Sequence, residues 1–178
     1  DLFIHEIIPV IKYVCSLSAY PIKDLTINYY LLDLKKIFQM NEYLDVDEIN
    51  SGACKYNSKT SSTIYIYRKE EILKVTIHEL FHALRYDYTC GIDPEKIIKY
   101  YRKKYNITSE KINTNEAYTE IWANIINCYL ISQKVGRNKY NLFLILISLE
   151  KEFSTFQAEK VMYLTKLNEK DTIDINKE

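Results

Sequence analysis

Glycine and proline are nearly absent, at three residues each in 178. Both punctuate regular structure, so a chain this poor in them is expected to run in long elements, mostly helices. Net charge is absent too, because 24 basic and 24 acidic residues cancel. A neutral chain gives no general reason to expect DNA, RNA or an anionic membrane as partner. Long apolar runs are also missing. The best stretch, residues 142–149, includes Ser148 and is far too short for a bilayer span. No basic segment followed by an apolar block opens the chain, so no secretory leader is visible, although the first residue is Asp1 rather than Met. The four cysteines (Cys15, Cys54, Cys90, Cys128) form neither a CxxC pair nor a clustered framework. Scattering of this kind favours reduced, mostly buried thiols and an intracellular setting. Histidine is scarce, at three residues, which gives the position of each one weight.

What is present is ordinary for a globular domain: 47% apolar and 27% charged residues, in a length that suits one domain, residues 1–178. Isoleucine, lysine, asparagine and tyrosine (17 residues) are over-represented. That bias looks like AT-rich coding, so most tyrosines read as core or surface filler.

Residues 1–18 read as a helix with Ile4, Ile7, Ile8, Ile11 and Val14 on one side, kinked or divided at Pro9. Residues 25–34 (LTINYYLLDL) suit a strand or a short helix equally. Asn50, Ser51 and Gly52, in the polar stretch 45–57, predict a turn. Residues 62–67 (STIYIY) alternate β-branched and aromatic side chains, a strand pattern. Residues 69–86 are helix formers, with Glu70 and Glu71 in the first turn where they complement the helix dipole. Cys90 to Pro94 break the pattern, with Asp93 and Pro94 placed to cap and start a helix to about Tyr105. Further helices are expected over 115–133, closed near Gly136, and over 138–167 as one or two pieces with a charged tail. The expected class is α+β with helix dominant: a small sheet in the N-terminal half (1–90), a central helix, and a helical C-terminal half (91–178), with a cleft between the halves.

His78-Glu79-Leu80-Phe81-His82 is an HExxH pattern. On a helix, positions i and i+4 share a face, so both imidazoles can reach one zinc ion, while Glu79 can reach a zinc-bound water and act as general base. The wild-card and flanking positions Thr76, Ile77, Leu80, Phe81, Ala83 and Leu84 are all uncharged, as a buried helix requires. The competing reading is two capped or surface histidines on an ordinary amphipathic helix. A metzincin continuation fails, since Arg85 and Tyr88 stand where Gly and His or Asp belong. His5 has no ligand-like surroundings, and capping explains Asp93 better than metal binding. Glu116 and Glu120 lie four apart in NEAYTEI, ahead of the apolar residues Ile121, Trp122, Ala123, Ile125 and Ile126. Two carboxylates on the inner side of a buried helix are costly unless paired. Zinc would pair with Glu116 as third ligand, and a ligand histidine's other N–H would pair with Glu120. The alternative is a solvent-facing acidic pair.

HELFH followed by NEAYTEI resembles the gluzincin zinc peptidases, whose HExxH is followed by a helix reading N-E-A-x-x-D/E-I. The likeness covers two helices and the strand before them. It implies a zincin-like fold, Zn2+ on His78, His82 and Glu116, Glu79 as general base, and Glu120 behind a ligand, most simply His78. It also implies that STIYIY is an edge strand along which an extended peptide binds, through Ile64, Tyr65 and Ile66. Arg68 at its end would meet a substrate carboxylate, or instead pair with Glu70 or Glu71 or stay solvated. Gluzincins often recruit a tyrosine from beyond the glutamate helix to stabilise the oxyanion; Tyr163 is the first choice here, then Tyr140 and Arg137. Two departures stand out: the interval from His82 to Glu116 is longer than in thermolysin, and no downstream histidine is available. The run RKEEILKVTIHELFHAL is similar, too, to gluzincin-like proteins of large DNA viruses. The expected activity is hydrolysis of peptide bonds in a selected protein or peptide substrate. A catalytically silent zincin-fold binding or regulatory domain is the alternative.

Overall fold

A computed structural model describes residues 2–33, 50–87, 94–105, 112, 114–135 and 137–164. Along them run helix α1 (Leu2–Ser16), strands β1 (Asp24–Leu32), β2 (Gly52–Ser58) and β3 (Ser61–Arg68), then helices α2 (Ile72–Ala83), α3 (Pro94–Tyr105), α4 (Asn115–Lys134) and α5 (Lys139–Leu164). The class is α+β with helix dominant. Residues 45–49, Tyr88, Cys90 to Asp93, Gly136 and the charged tail beyond 164, on which several expectations fell, lie outside the described residues. No helix among the described residues is long and apolar enough to cross a membrane. Cys15, Cys54 and Cys128 carry free thiols.

The chain divides into two compact units, one comprising Asp1–Cys90 and Asn115–Asn127, the other Gly91–Thr114 and Cys128–Glu178. A boundary near residue 90 was expected, but the first half of α4 returns to the first unit. In the first unit, β3 alternates inward and outward along its whole length, with Ser62, Ile64, Ile66 and Arg68 buried. Its inward face meets α2, since Ser62 Oγ donates to the Ala83 carbonyl at 3.2 Å. From α2, Ile77, Leu80 and Ala83 are sealed from solvent. Burying each of these isoleucine and leucine side chains stabilises the unit by about 1.5–3 kcal/mol. From α1, Ile7 and Val14, seven residues apart, are buried, Ile8, expected beside them, is exposed, and the side chain of Ile4 lies outside the described ones. In the second unit α3 carries Arg102, Lys103 and Lys104 in its last turn, complementing the helix dipole. There Tyr129 of α4 meets Phe143 of α5 edge-on at 6.3 Å.

The ambiguous segment resolves as strand β1 over Asp24–Leu32 because its backbone finds a partner. It pairs in parallel with β3 from Asp24 opposite Ser61 to Tyr29 opposite Ile66. β2 pairs antiparallel with the other side of β3, from Gly52 opposite Ile66 to Ser58 opposite Ser61. The sheet order is therefore β1-β3-β2. This corrects the expectation that STIYIY is an edge strand: β3 is central, and its backbone groups are taken on both sides. Helix α2 is also shorter than 69–86. Glu71 sits before it in the left-handed region (φ 56), so Glu70 and Glu71 precede the helix instead of forming its first turn. The last two elements fall within their expected spans, the second as one helix over Lys139–Leu164.

Candidate metal centre

One turn of α2 separates His78 from His82, and their Nε2 atoms face each other at 3.1 Å. Glu116, in the first turn of α4, brings Oε2 to 3.2 Å from His78 Nε2 and 3.3 Å from His82 Nε2. Two imidazoles and one carboxylate gathered this closely form a group able to hold a metal ion. The spacing can be tested against zinc: tetrahedral bonds of about 2.0–2.1 Å place neighbouring ligand atoms about 3.3 Å apart. The observed triangle fits that edge length on all three sides, and the donor set suits zinc.

The remaining ring nitrogens are spoken for. His78 Nδ1 lies 3.1 Å from Glu120 Oε2, and His82 Nδ1 lies 2.9 Å from Asp87 Oδ2. An imidazole that donates its Nδ1–H to a carboxylate turns its Nε2 lone pair outward, here into the shared space. Lys74 closes the first pair, with Nζ 2.6 Å from Glu120 Oε1, and Asn124 Nδ2 donates to the same oxygen at 3.4 Å. Behind the triangle is the buried Thr119, whose Oγ1 donates to the Glu116 carbonyl at 2.9 Å and lies 3.4–3.5 Å from both Nε2 atoms. The histidine side chains are largely covered, while the Glu116 side chain is 67% exposed, so the triangle opens to solvent on the glutamate side.

Without a metal, these contacts favour charge. Burial opposes a positive His78, but the hydrogen bonds with Glu116 and Glu120 and the nearby Glu79 outweigh it and raise its pKa to about 9. Burial likewise opposes a positive His82, and Asp87 and Glu116 overcome it, giving about 10. Burial pushes Glu120 up, yet His78 and Lys74 bring it down to about 2. Hydrogen bonds from both histidines hold Glu116 far below the usual carboxylate range. Glu79 goes the other way: burial raises its pKa, against the pull of the two histidines.

Glu79 is buried on α2 against the start of β2. A Cβ on Gly52 would stand 2.8 Å from Val75 Cγ1 and 3.1 Å from Glu79 Oε1, so only glycine lets the strand approach the carboxylate this closely.

Of the residues singled out from sequence, His78, Glu79, His82, Glu116 and Glu120 are gathered here. Ile64 and Ile66 are fully buried under α2 and Arg68 is 6% exposed, so these three cannot line an open substrate groove. Tyr65 lies on the opposite, half-buried face of β3. Tyr163 and Tyr140 are exposed on α5, in the second unit, as is Arg137 just before it. His5 is exposed on α1. The apolar stretch after Glu120 packs less fully than expected: Ala123 is buried, while Ile121 and Trp122 are exposed. Sequence reasoning missed Asp87 and Thr119. Thr119 shares the helix row of Glu116 and Glu120 and was open to a periodicity argument. Asp87 lies beyond the helix end, where only the unassigned Nδ1 of His82 asked for a partner.

No protein-family model matches this chain, and no solved structure matches it. It is similar to an uncharacterized protein of Acanthamoeba polyphaga mimivirus, 25% identical over 123 residues. The match takes in 64% of this chain and 30% of the viral protein, so the chain spans less than a third of its relative's length.

Proposed function

We propose that this chain is a zinc-dependent peptidase of the gluzincin type. The observation that carries the reading is the triangle of His78 Nε2, His82 Nε2 and Glu116 Oε2, with edges of 3.1–3.3 Å, beside a buried carboxylate on the same helix.

Zinc held by His78, His82 and Glu116 would polarise a carbonyl and make water acidic enough to lose a proton near neutral pH. In this reading Glu79, buried on the same helix, would receive that proton. Its carboxylate would take it from the attacking water and pass it to the amine nitrogen as the C–N bond breaks, so one water would be consumed and an acid and an amine released. Glu120 and Asp87, each against a ring Nδ1, would keep the two Nε2 atoms turned toward the metal.

The substrate edge is assigned to β2. Among the described residues β2 pairs only with β3. Tyr67 N–H donates to the Ser51 carbonyl at 3.0 Å, and antiparallel alternation then turns the backbone groups of Gly52, Cys54 and Tyr56 away from β3. An extended peptide adding a strand there would pass the Gly52 end, where Glu79 lies.

The test is cleavage of a mixed peptide library by zinc-loaded protein, beside Glu79→Gln. Defined fragments from wild type and none from the variant are expected. An intact library, with zinc bound, would reject the peptidase reading and leave a silent binding domain.

A further inference from the structure

We infer that Asp87 is the positioning residue for His82 as a metal ligand, and that a left-handed turn at Arg85 is the device that delivers it. The inference rests on the reading of His78, His82 and Glu116 as a metal site, and concerns how the chain builds it.

Helix α2 ends in a Schellman motif. Tyr86 N–H donates to the Phe81 carbonyl at 3.0 Å and Arg85 N–H to the His82 carbonyl at 2.8 Å. The Phe81 and Tyr86 rings pack at 4.9 Å between centroids, the apolar contact that accompanies this motif. The motif needs a left-handed residue at its turn, normally glycine, and here that residue is Arg85 with φ 58. Reversal at Arg85 sends the chain back along the helix end, and two residues later Asp87 stands 2.9 Å from His82 Nδ1.

Two features set this contact apart from a surface ion pair. The Asp87 side chain is only 1% exposed and that of His82 12%, so the geometry is held by packing on both sides. The turn is also anchored to the neighbouring strand. Arg85 lies over the Tyr56 ring at 4.3 Å and the Tyr20 ring at 5.2 Å, and donates to the Ser58 carbonyl at 3.3 Å. Tyr56 in turn donates its hydroxyl to the His82 carbonyl at 3.2 Å. A ligand histidine, its orienting carboxylate and strand β2 are thus tied through six residues of one turn.

The test is zinc affinity by competition with a chromophoric chelator, together with the visible spectrum of the cobalt-substituted protein, for wild type, Asp87→Asn, Asp87→Ala, Arg85→Gly, Arg85→Val and Glu116→Ala. Asp87→Ala should lower zinc affinity about 10- to 100-fold and shift the cobalt bands. Asp87→Asn, which is isosteric and keeps an acceptor oxygen for Nδ1–H, should fall between it and wild type. Arg85→Gly and Arg85→Val both lose the side-chain anchor, but glycine permits the left-handed turn and valine disfavours it, so Arg85→Gly should bind zinc more tightly than Arg85→Val, which should approach Asp87→Ala. Wild-type affinity and spectrum in both Asp87 variants would overturn the role of Asp87. Equal affinities for Arg85→Gly and Arg85→Val would overturn the role of the turn. If wild type binds neither zinc nor cobalt, or Glu116→Ala binds as wild type does, the metal-site reading itself fails.

Discussion

His78 and His82 stand one turn apart on the same helix and each faces a carboxylate, yet the two sides of the centre are built unlike each other. On the His78 side the carboxylate is Glu120, 44% exposed, carried by a second helix and neutralised by Lys74. On the His82 side it is Asp87, almost wholly buried and delivered by the turn that ends α2. The first side is assembled between elements far apart in sequence, and water can share its charge. The second is local and dry. A buried charge pair is costly to break because the survivor is left uncompensated, whereas a half-exposed one is screened. The difference predicts that the two carboxylates, alike in hydrogen bonding, will be unequal in energy.

The largest effect should come from the residue common to both sides. Glu116→Ala removes the third donor, and zinc measured by mass spectrometry on the purified protein should fall from one per chain to none. Glu79→Gln touches neither ring: it should keep its zinc while turnover of a cleaved peptide drops by about 10²–10⁴-fold. A variant with near-normal rate would remove Glu79 from the chemistry.

The comparison itself is tested in the metal-free protein by urea unfolding. Asp87→Ala should cost about 3–5 kcal/mol, as for one partner of a buried pair. Glu120→Ala should cost about 1 kcal/mol or less, since its pair is half exposed. Equal losses would show that burial does not distinguish the two sides. Gly52→Ala should cost about 1–3 kcal/mol, because the added methyl meets the stiff Val75 at 2.8 Å.

The smallest effect is a pH dependence. Both histidines of the metal-free chain have pKa values raised above 6.5, to about 9 for His78 and about 10 for His82. A raised folded value contributes stability that is fully present below the unfolded pKa and is lost as pH rises through the folded one. Stability of the metal-free protein should therefore decline from about pH 6.5 toward 10, as measured by urea unfolding across that range. A stability that stays level over this interval would contradict the carboxylates' hold on the two rings. Zinc affinity runs the opposite way and should weaken on acidification, since the metal needs neutral imidazoles.

Much of the centre could be read along the chain, because its parts are periodic. His78 and His82, and likewise Glu116 and Glu120, are four apart, and on a helix that spacing alone puts them on one face. The helices after residue 115 were readable for the same reason. The strand segments were harder. LTINYYLLDL has no decisive period, and it is a strand because β3 offers it a backbone partner. Nothing in STIYIY tells whether one side of its backbone or both will be paired, so the central strand passed for an edge. Asp87 was invisible because a left-handed arginine carries no glycine to announce the turn.

The sequence by itself determined which side chains can share a helix face, and so the histidine pair, its neighbouring glutamate and the acidic pair on α4. Those follow from local backbone geometry, which repeats every 3.6 residues whatever surrounds it. Tertiary structure decided the order β1-β3-β2 and the meeting of His78 with Glu116 and Glu120 across an interval of more than thirty residues. Pairings of that kind depend on which backbone groups and charges find partners once the core has closed, and no local pattern encodes them.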